Sequence, residues 1–315
     1  MEVTRDGVVE SIHCVAACAI DAHGRELLSI GQIDAPVYLR STAKPFIASA
    51  IVAAGAHERF ALEPAEIAVI AASHSGETFH LAAVRSILSK IGLGEDALQC
   101  GPEGAGYPAD AIYNNCSGKH AGILALCKTL GCDTASYLDP DNPAERYILN
   151  VCAAMSEVPF ESLHVGVDGC GVPVYATPLR NAAVSYMRLA CGCGIDANHT
   201  RALKIVREAM LAFPEYVSGS GEFDAALMRA AGGRLLCKGG AEGVHGVAAI
   251  NRGVGFVLKV ADGNSRARSP GVIAALRMLD LLSEKQVEAL HSFARPPVHN
   301  KAGRLVGEIR GITAC

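Results

Sequence analysis

The stretch Arg40-Ser41-Thr42-Ala43-Lys44-Pro45-Phe46 (RSTAKPF) runs directly into FIASAIVAAG, residues 46–55, which is almost wholly apolar. A hydroxyl and a cation thus stand three residues apart at the mouth of a buried helix. On a helix, positions i and i+3 share a face, so Ser41 and Lys44 are placed to interact. Pro45 is tolerated only in a first helical turn, so the helix must begin close to Ser41 and present the hydroxyl to its positive end. A serine hydroxyl becomes a useful nucleophile when a neighbour takes its proton, and a neutral lysine can do so. Burial and a second nearby cation both favour the neutral amine. The plainer reading makes Ser41 a helix cap and leaves Lys44 in solvent.

Outward from this segment, the first 40 residues read as short strands. These are VVESI (8–12), CVAACAID (14–21) and, after a turn at Ala22–Arg25, ELLSIG (26–31). EIAVIAAS (66–73) reads as a buried strand. Leu81, Val84, Leu88 and Ile91 recur at helical spacing, which predicts a helix over 78–91 stopped by Gly92. Ser117 suits the N-cap of a helix over 118–130 ended by Gly131, and Asn142-Pro143 opens another. The last third predicts helices near 200–212, 222–231 and 270–282, with strands near 233–237, 246–250 and 254–260. Helices and strands mix without a strict βαβ rhythm. The expected class is α+β, an antiparallel sheet packed by helices. The chain reads as a single catalytic domain, 1–315, with an all-helical subregion inside it. Polar-rich loops interrupt it at 101–120, 218–222 and 261–270, where functional groups are expected.

Composition narrows the function. The 315 residues are 50% hydrophobic with a net charge of -4, no Trp and few other aromatics. A nucleic-acid binder would show a basic stripe and stacking aromatics. No apolar run reaches the length of a membrane helix. Glu2, Asp6 and Glu10 stand where a secretion signal would be apolar, so a cytoplasmic location is expected. The 12 cysteines are then mostly reduced core thiols; without a C-x-x-C spacing they suggest neither a zinc ribbon nor a thioredoxin-type site.

Four further segments carry chemistry. ASHSGE (72–77) ends an apolar run and brings a second serine, Ser73, either to a site edge or into a capped turn. Lys238 is followed at once by Gly239 and Gly240, which permits close approach of a ligand or another backbone. S-x-x-K, then a serine, then K-T-G is the order used by penicillin-binding enzymes and serine β-lactamases. Here the order is kept by Ser41/Lys44, Ser73 and Lys238-Gly-Gly, with a middle element that is not S-D-N. NNCSGKHAG (114–122) sets Cys116 and Lys119 at a helix N-terminus, which favours a thiolate, and DGCGVP (168–173) exposes Asp168 and Cys170 in a glycine turn. Each cysteine can be a metal ligand, a nucleophile or buried filler.

Together RDGVVESIH (5–13), RSTAKPF, ASHSGE, NNCSGKHAG, DGCGVP, GSGEFDAALM (219–228), KGGAEGV (238–244) and VLKVADG (257–263) resemble the Rhizobium etli-type asparaginases, the class 3 or thermolabile asparaginase II family. The resemblance spans nearly the whole chain. It implies hydrolysis of L-asparagine to L-aspartate and ammonia by an acyl-enzyme route, a fold like serine β-lactamases and glutaminases, and a homodimer. It implies two Ser-Lys pairs, Ser41 with Lys44 and Ser73 with Lys238. It also implies a zinc ion on Cys116, Lys119 and Cys170, one that helps hold substrate and is not required for the chemical step. His120, Asp168 and Lys119 then contact substrate, and Arg40 is the candidate for its carboxylate. One departure is Asp224, which stands where relatives carry cysteine. The rivals are a glutaminase, a β-lactam-type acyl enzyme and a non-catalytic zinc or redox-sensing protein.

Overall fold

The computed structural model describes residues 1–104, 106 and 108–311. Ala105 and Tyr107 of the 101–120 loop, and Cys315, lie outside the described residues. The architecture is α+β. Its centre is a five-stranded antiparallel sheet, in the order Glu26–Ile30, Val15–Ile20, Val254–Val260, Val244–Ala249 and Leu235–Gly239. A four-stranded sheet joins the two chain ends, pairing Glu2–Arg5 with both Val8–Ile12 and Leu305–Arg310. A three-stranded sheet sets Pro173–Pro178 between Pro36–Tyr38 and His164–Val167.

The inner strands of the central sheet are buried on both faces, so Val254–Val260 reads as a continuous apolar run rather than an alternating one. One face is covered by the Leu179–Cys191 helix, which sequence periodicity did not single out. Two glycines let that helix lie on the sheet. A Cβ at Gly246 would come within 2.0 Å of the Tyr186 ring, and one at Gly255 within 2.0 Å of the Met187 amide. The phenol of Tyr186 then donates to the carbonyl of Thr42 at 2.8 Å, tying the helix to the RSTAKPF turn.

Beyond that turn lies a helical layer. The Lys44–Ala53 helix is buried almost throughout, among the Ser117–Leu130, Pro143–Met155 and Ala197–Ala212 helices. The expected strand over 66–73 is instead a helix, Pro64–Ile70. Its start explains the error. Pro64 takes the first turn, the side chain of Glu66 accepts from the amide of Glu63 at 2.6 Å, and a capping box closes the end. Burial on all sides hid the helical period. The Gly118 position then packs straight onto Val69, where a Cβ would lie 2.2 Å from the carbonyl oxygen. The other boundaries agree with sequence expectation within a few residues, as for Thr78–Lys90 and Phe223–Ala231.

Candidate active site

Ser41 lies in a short 3-10 turn, Arg40–Ala43, that feeds the Lys44–Ala53 helix, with Pro45 in the first turn. Arg40, immediately before it, has φ of 50°, a left-handed conformation unusual for a side-chain-bearing residue. Ser41 lines a cavity of about 280 Å³ together with Lys238 and Arg268. The Lys238–Ala241 turn and residues Ser218, Glu222, Phe223 and Asp224 line the same cavity. Gly240 is required here, because a Cβ would sit 2.6 Å from Val244 and 3.3 Å from the amide of Ser41.

Ser73 also lines the cavity. It is held by its own amide donating to Val217 at 2.9 Å. The buried ammonium of Lys44 donates to the Ala72 carbonyl at 2.5 Å and to Ser73 Oγ at 2.9 Å. The lysine of the opening motif therefore serves the second serine. The long side chain reaches the unsatisfied carbonyl just past the Pro64–Ile70 helix, and among the described residues Ser41 Oγ is left without a hydrogen bond.

Lys238 ends the edge strand of the central sheet and is 1% exposed. Burial pushes its amine down to about 8, and Lys44 and Arg268 add to the push while Asp224 opposes it. Its Nζ donates to the Gly239 carbonyl at 2.7 Å and lies 3.5 Å from Asp224 Oδ2. Asp224 is itself buried, and the same oxygen accepts the Gly239 amide at 2.7 Å. Burial would raise this carboxyl, yet Lys238, His245 and Arg268 hold it at about 2. Asp224, Cys237 and His245 bring donor atoms within 4.8 Å of one another. In this cluster the cation is already supplied by Lys238. Asp224 Oδ1 and both ring nitrogens of His245 have no hydrogen-bond partner among the described residues.

Behind Lys44 lies a second cluster. Cys116 and Cys170 face each other, and Lys119 Nζ donates to Cys170 Sγ at 3.0 Å. The two thiols are pushed in opposite directions. A hydrogen bond to Cys170 and the Lys119 and Lys44 cations pull Cys116 far down, while Cys170 goes up. Burial would lower Lys119, but the two sulfurs and Asp168 raise it, so it stays an ammonium. Asp168 bridges the cluster to the Arg40–Ala43 turn, accepting from Arg40 Nε at 2.7 Å and lying 3.7 Å from Lys119. His120 is buried, with Nδ1 2.7 Å from the Tyr137 hydroxyl and Nε2 unpartnered among the described residues. Tyr137 also accepts the Gln99 amide at 2.8 Å.

Cys116 and Cys170 offer soft sulfur ligands suited to a zinc ion, and Lys119 would join them as a ligand only on losing its proton. Arg40, Lys119, His120 and Asp168 belong to this rear cluster and do not line the cavity.

Two of the expected features differ in detail. Ser117 is not the cap but the first residue of the Ser117–Leu130 helix, after Cys116. Its hydroxyl instead accepts from His74 Nε2 at 2.9 Å and donates to Ile112 at 2.8 Å. The 261–270 segment is no plain loop, since the Arg268–Met278 helix starts within it. Sequence reasoning missed Arg268, Glu222 and Asn115 on the cavity wall. Their only signal was membership of the three polar segments.

Comparison with known proteins places this site in context. No curated protein matches the chain in sequence. Among solved structures, Mglu in its native form is similar at 15% identity, over 90% of this chain and 69% of that one, with a TM-score of 0.48. A β-lactamase from Mycobacterium bovis is similar at 15% identity, over 89% and 95%, with a TM-score of 0.42. A β-lactamase/D-alanine carboxypeptidase from Pseudomonas syringae is similar at 11% identity, over 84% and 93%, with a TM-score of 0.44. The family model described as L-asparaginase II matches residues 1–311, all but the last four positions. With Ser41, Ser73 and Lys238 gathered on one cavity inside that span, the chain belongs to the L-asparaginase II family of amidohydrolases.

Proposed function

We propose that the protein hydrolyses L-asparagine to L-aspartate and ammonia through an acyl-enzyme formed on Ser41, in the manner of the Rhizobium etli-type branch. The observation that carries this reading is the meeting of Ser41, Ser73 and Lys238 in the lining of one cavity. Ser41 attacks the side-chain amide carbon. Lys238, with an amine near 8, is half neutral close to physiological pH and accepts the serine proton. Lys44, fixed on Ser73 Oγ, orients that hydroxyl to pass a proton to the departing ammonia. Backbone amides of the cavity-lining residues Ser41 and Ala241 would stabilise the oxyanion. Water then cleaves the ester.

Cys116, Lys119 and Cys170 hold a zinc ion in this proposal, with Asp168 beside them. When bound, the ion supplies fixed positive charge behind the cavity that helps hold substrate. By the same resemblance the active species is a homodimer acting in the cytoplasm, which light scattering of the purified protein would check. No helix among the described residues is long and apolar enough to cross a membrane.

The test is ammonia release by the purified protein from L-asparagine, with L-glutamine in parallel. Release from asparagine that vanishes in Ser41→Ala, in a variant that melts like the parent, supports the assignment. Equal rates on both amides would instead make the protein a glutaminase-like enzyme, since one methylene is worth only about 1–3 kcal/mol of discrimination. Hydrolysis of a chromogenic β-lactam without amide turnover would favour the β-lactam rival.

A further inference from the structure

The charged groups on the cavity wall do not all pair with one another. Asp224 is committed to Lys238 and to the Gly239 amide. That leaves one cation, Arg268, and one anion, Glu222, facing the same space.

Arg268 is seated for binding. Its Nη1 donates to the Gly240 carbonyl at 3.0 Å, and its Nε is buried without a partner among the described residues. The guanidinium lies against the end of the Leu235–Gly239 strand, in space that exists because residue 239 has no side chain. A Cβ there would stand 3.0 Å from Arg268 Cζ. Glu222, which also lines the cavity, is the N-cap residue of the Phe223–Ala231 helix, yet its side chain makes no capping hydrogen bond. Its carboxylate is exposed and enters no ion pair among the described residues. Arg40 does not compete for the same role, because its Nε is bonded to Asp168 away from the cavity.

We infer that Arg268 receives the α-carboxylate of the substrate and Glu222 its α-ammonium. This rests on the amidohydrolase reading above. A guanidinium and a carboxylate lining one cavity complement a zwitterion, and a planar guanidinium suits a carboxylate in particular. Both residues are specificity determinants, and neither touches the scissile amide.

Two small amides test the inference without adding bulk. β-Alaninamide is asparagine without its α-carboxylate, and succinamic acid is asparagine without its α-amine. Wild-type kcat/KM for each is expected to fall roughly 10- to 100-fold below that for L-asparagine, the scale of one charged hydrogen-bonded contact. Arg268→Ala is expected to lower kcat/KM for L-asparagine by a similar factor, mainly through KM, and to leave β-alaninamide unaffected. Glu222→Gln should do the same for L-asparagine and leave succinamic acid unaffected. If Arg268→Ala slows asparagine and β-alaninamide equally, or if wild type handles all three amides alike, the inference is overturned while the amidohydrolase reading stands. If wild type releases no ammonia from asparagine, the functional reading fails instead. Calorimetric titration with L-aspartate then decides. Binding lost in Arg268→Ala keeps the subsite, and equal binding or none in wild type removes it.

Discussion

The ammonium of Lys44 sits 2.9 Å from the hydroxyl of Ser73, twenty-nine positions along the chain, and not on Ser41, three positions before it. In the proposed mechanism this pairing divides the two serines by role. Both line the cavity; among the described residues Ser41 Oγ has no hydrogen bond, and Ser73 is bonded to Lys44.

Ser41→Ala should therefore abolish turnover. Ser73→Ala should leave a residue of activity, with kcat reduced about 10²- to 10⁴-fold, the range of a general acid–base contribution. Rapid-quench trapping of an acyl-enzyme separates them: Ser73→Ala still forms an ester on Ser41, and Ser41→Ala forms none. An ester found on Ser73 would reverse the assignment.

In the proposed mechanism Lys238 sets the pH dependence. Its neutral form gains population as pH rises through about 8, so kcat/KM should climb on an alkaline-going limb there. The Asp224 charge holds that amine higher than burial alone would. Asp224→Asn removes the charge, so the limb should move to lower pH. A pH profile of the variant that keeps the parental midpoint would mean another group titrates.

Glu145 gives a prediction about stability. It is 1% exposed, and burial raises its carboxyl to about 8 from an ordinary 4.5. A raised folded value means that the native state binds the proton more tightly than the unfolded chain does. The stability so gained is complete below 4.5 and is lost as pH climbs toward about 8. Glu145→Gln escapes this loss. It should melt higher than the parent at pH 9, by an amount on the order of a few kcal/mol, and close to the parent near pH 5. Equal melting differences at both pH values would count against a buried, titrating carboxyl.

For the thiol cluster, the purified protein is expected to retain about one zinc per chain through dialysis, a structural-site affinity. Cys116→Ser and Cys170→Ser should each lose it, read by atomic emission. Metal content unchanged in both variants would place any zinc elsewhere, with Asp224, Cys237 and His245 the next cluster to examine.

Much of this was legible in the sequence where physical period and punctuation agreed. The Phe223–Ala231 helix and the Val254–Val260 strand were read nearly to their ends. EIAVIAAS misled because a helix buried all round loses its apolar stripe, and only its Glu63–Glu66 capping box gave it away. Ser41, Ser73 and Lys238 were singled out as residue types at motif positions. Arg268 was not, because an arginine in a polar loop carries no mark of the space it occupies. That space is set by a glycine 29 positions earlier, at 239, and such long-range fit leaves no local signal. Nor could spacing foretell that Lys44 would prefer Ser73, since the contact depends on where the Pro64–Ile70 helix stops.

The contact between Gly246 and Tyr186 has a consequence for how related sequences can diverge. Even one added methyl at 246 would overlap the aromatic ring, and a smaller side chain at 186 would leave a void over the sheet and release the Thr42 carbonyl. Neither position can change alone without a penalty of about 2–3 kcal/mol or more. The two should therefore drift in concert across homologues, and a chain with alanine at 246 should also have replaced the phenol, anchoring its nucleophile turn by other means.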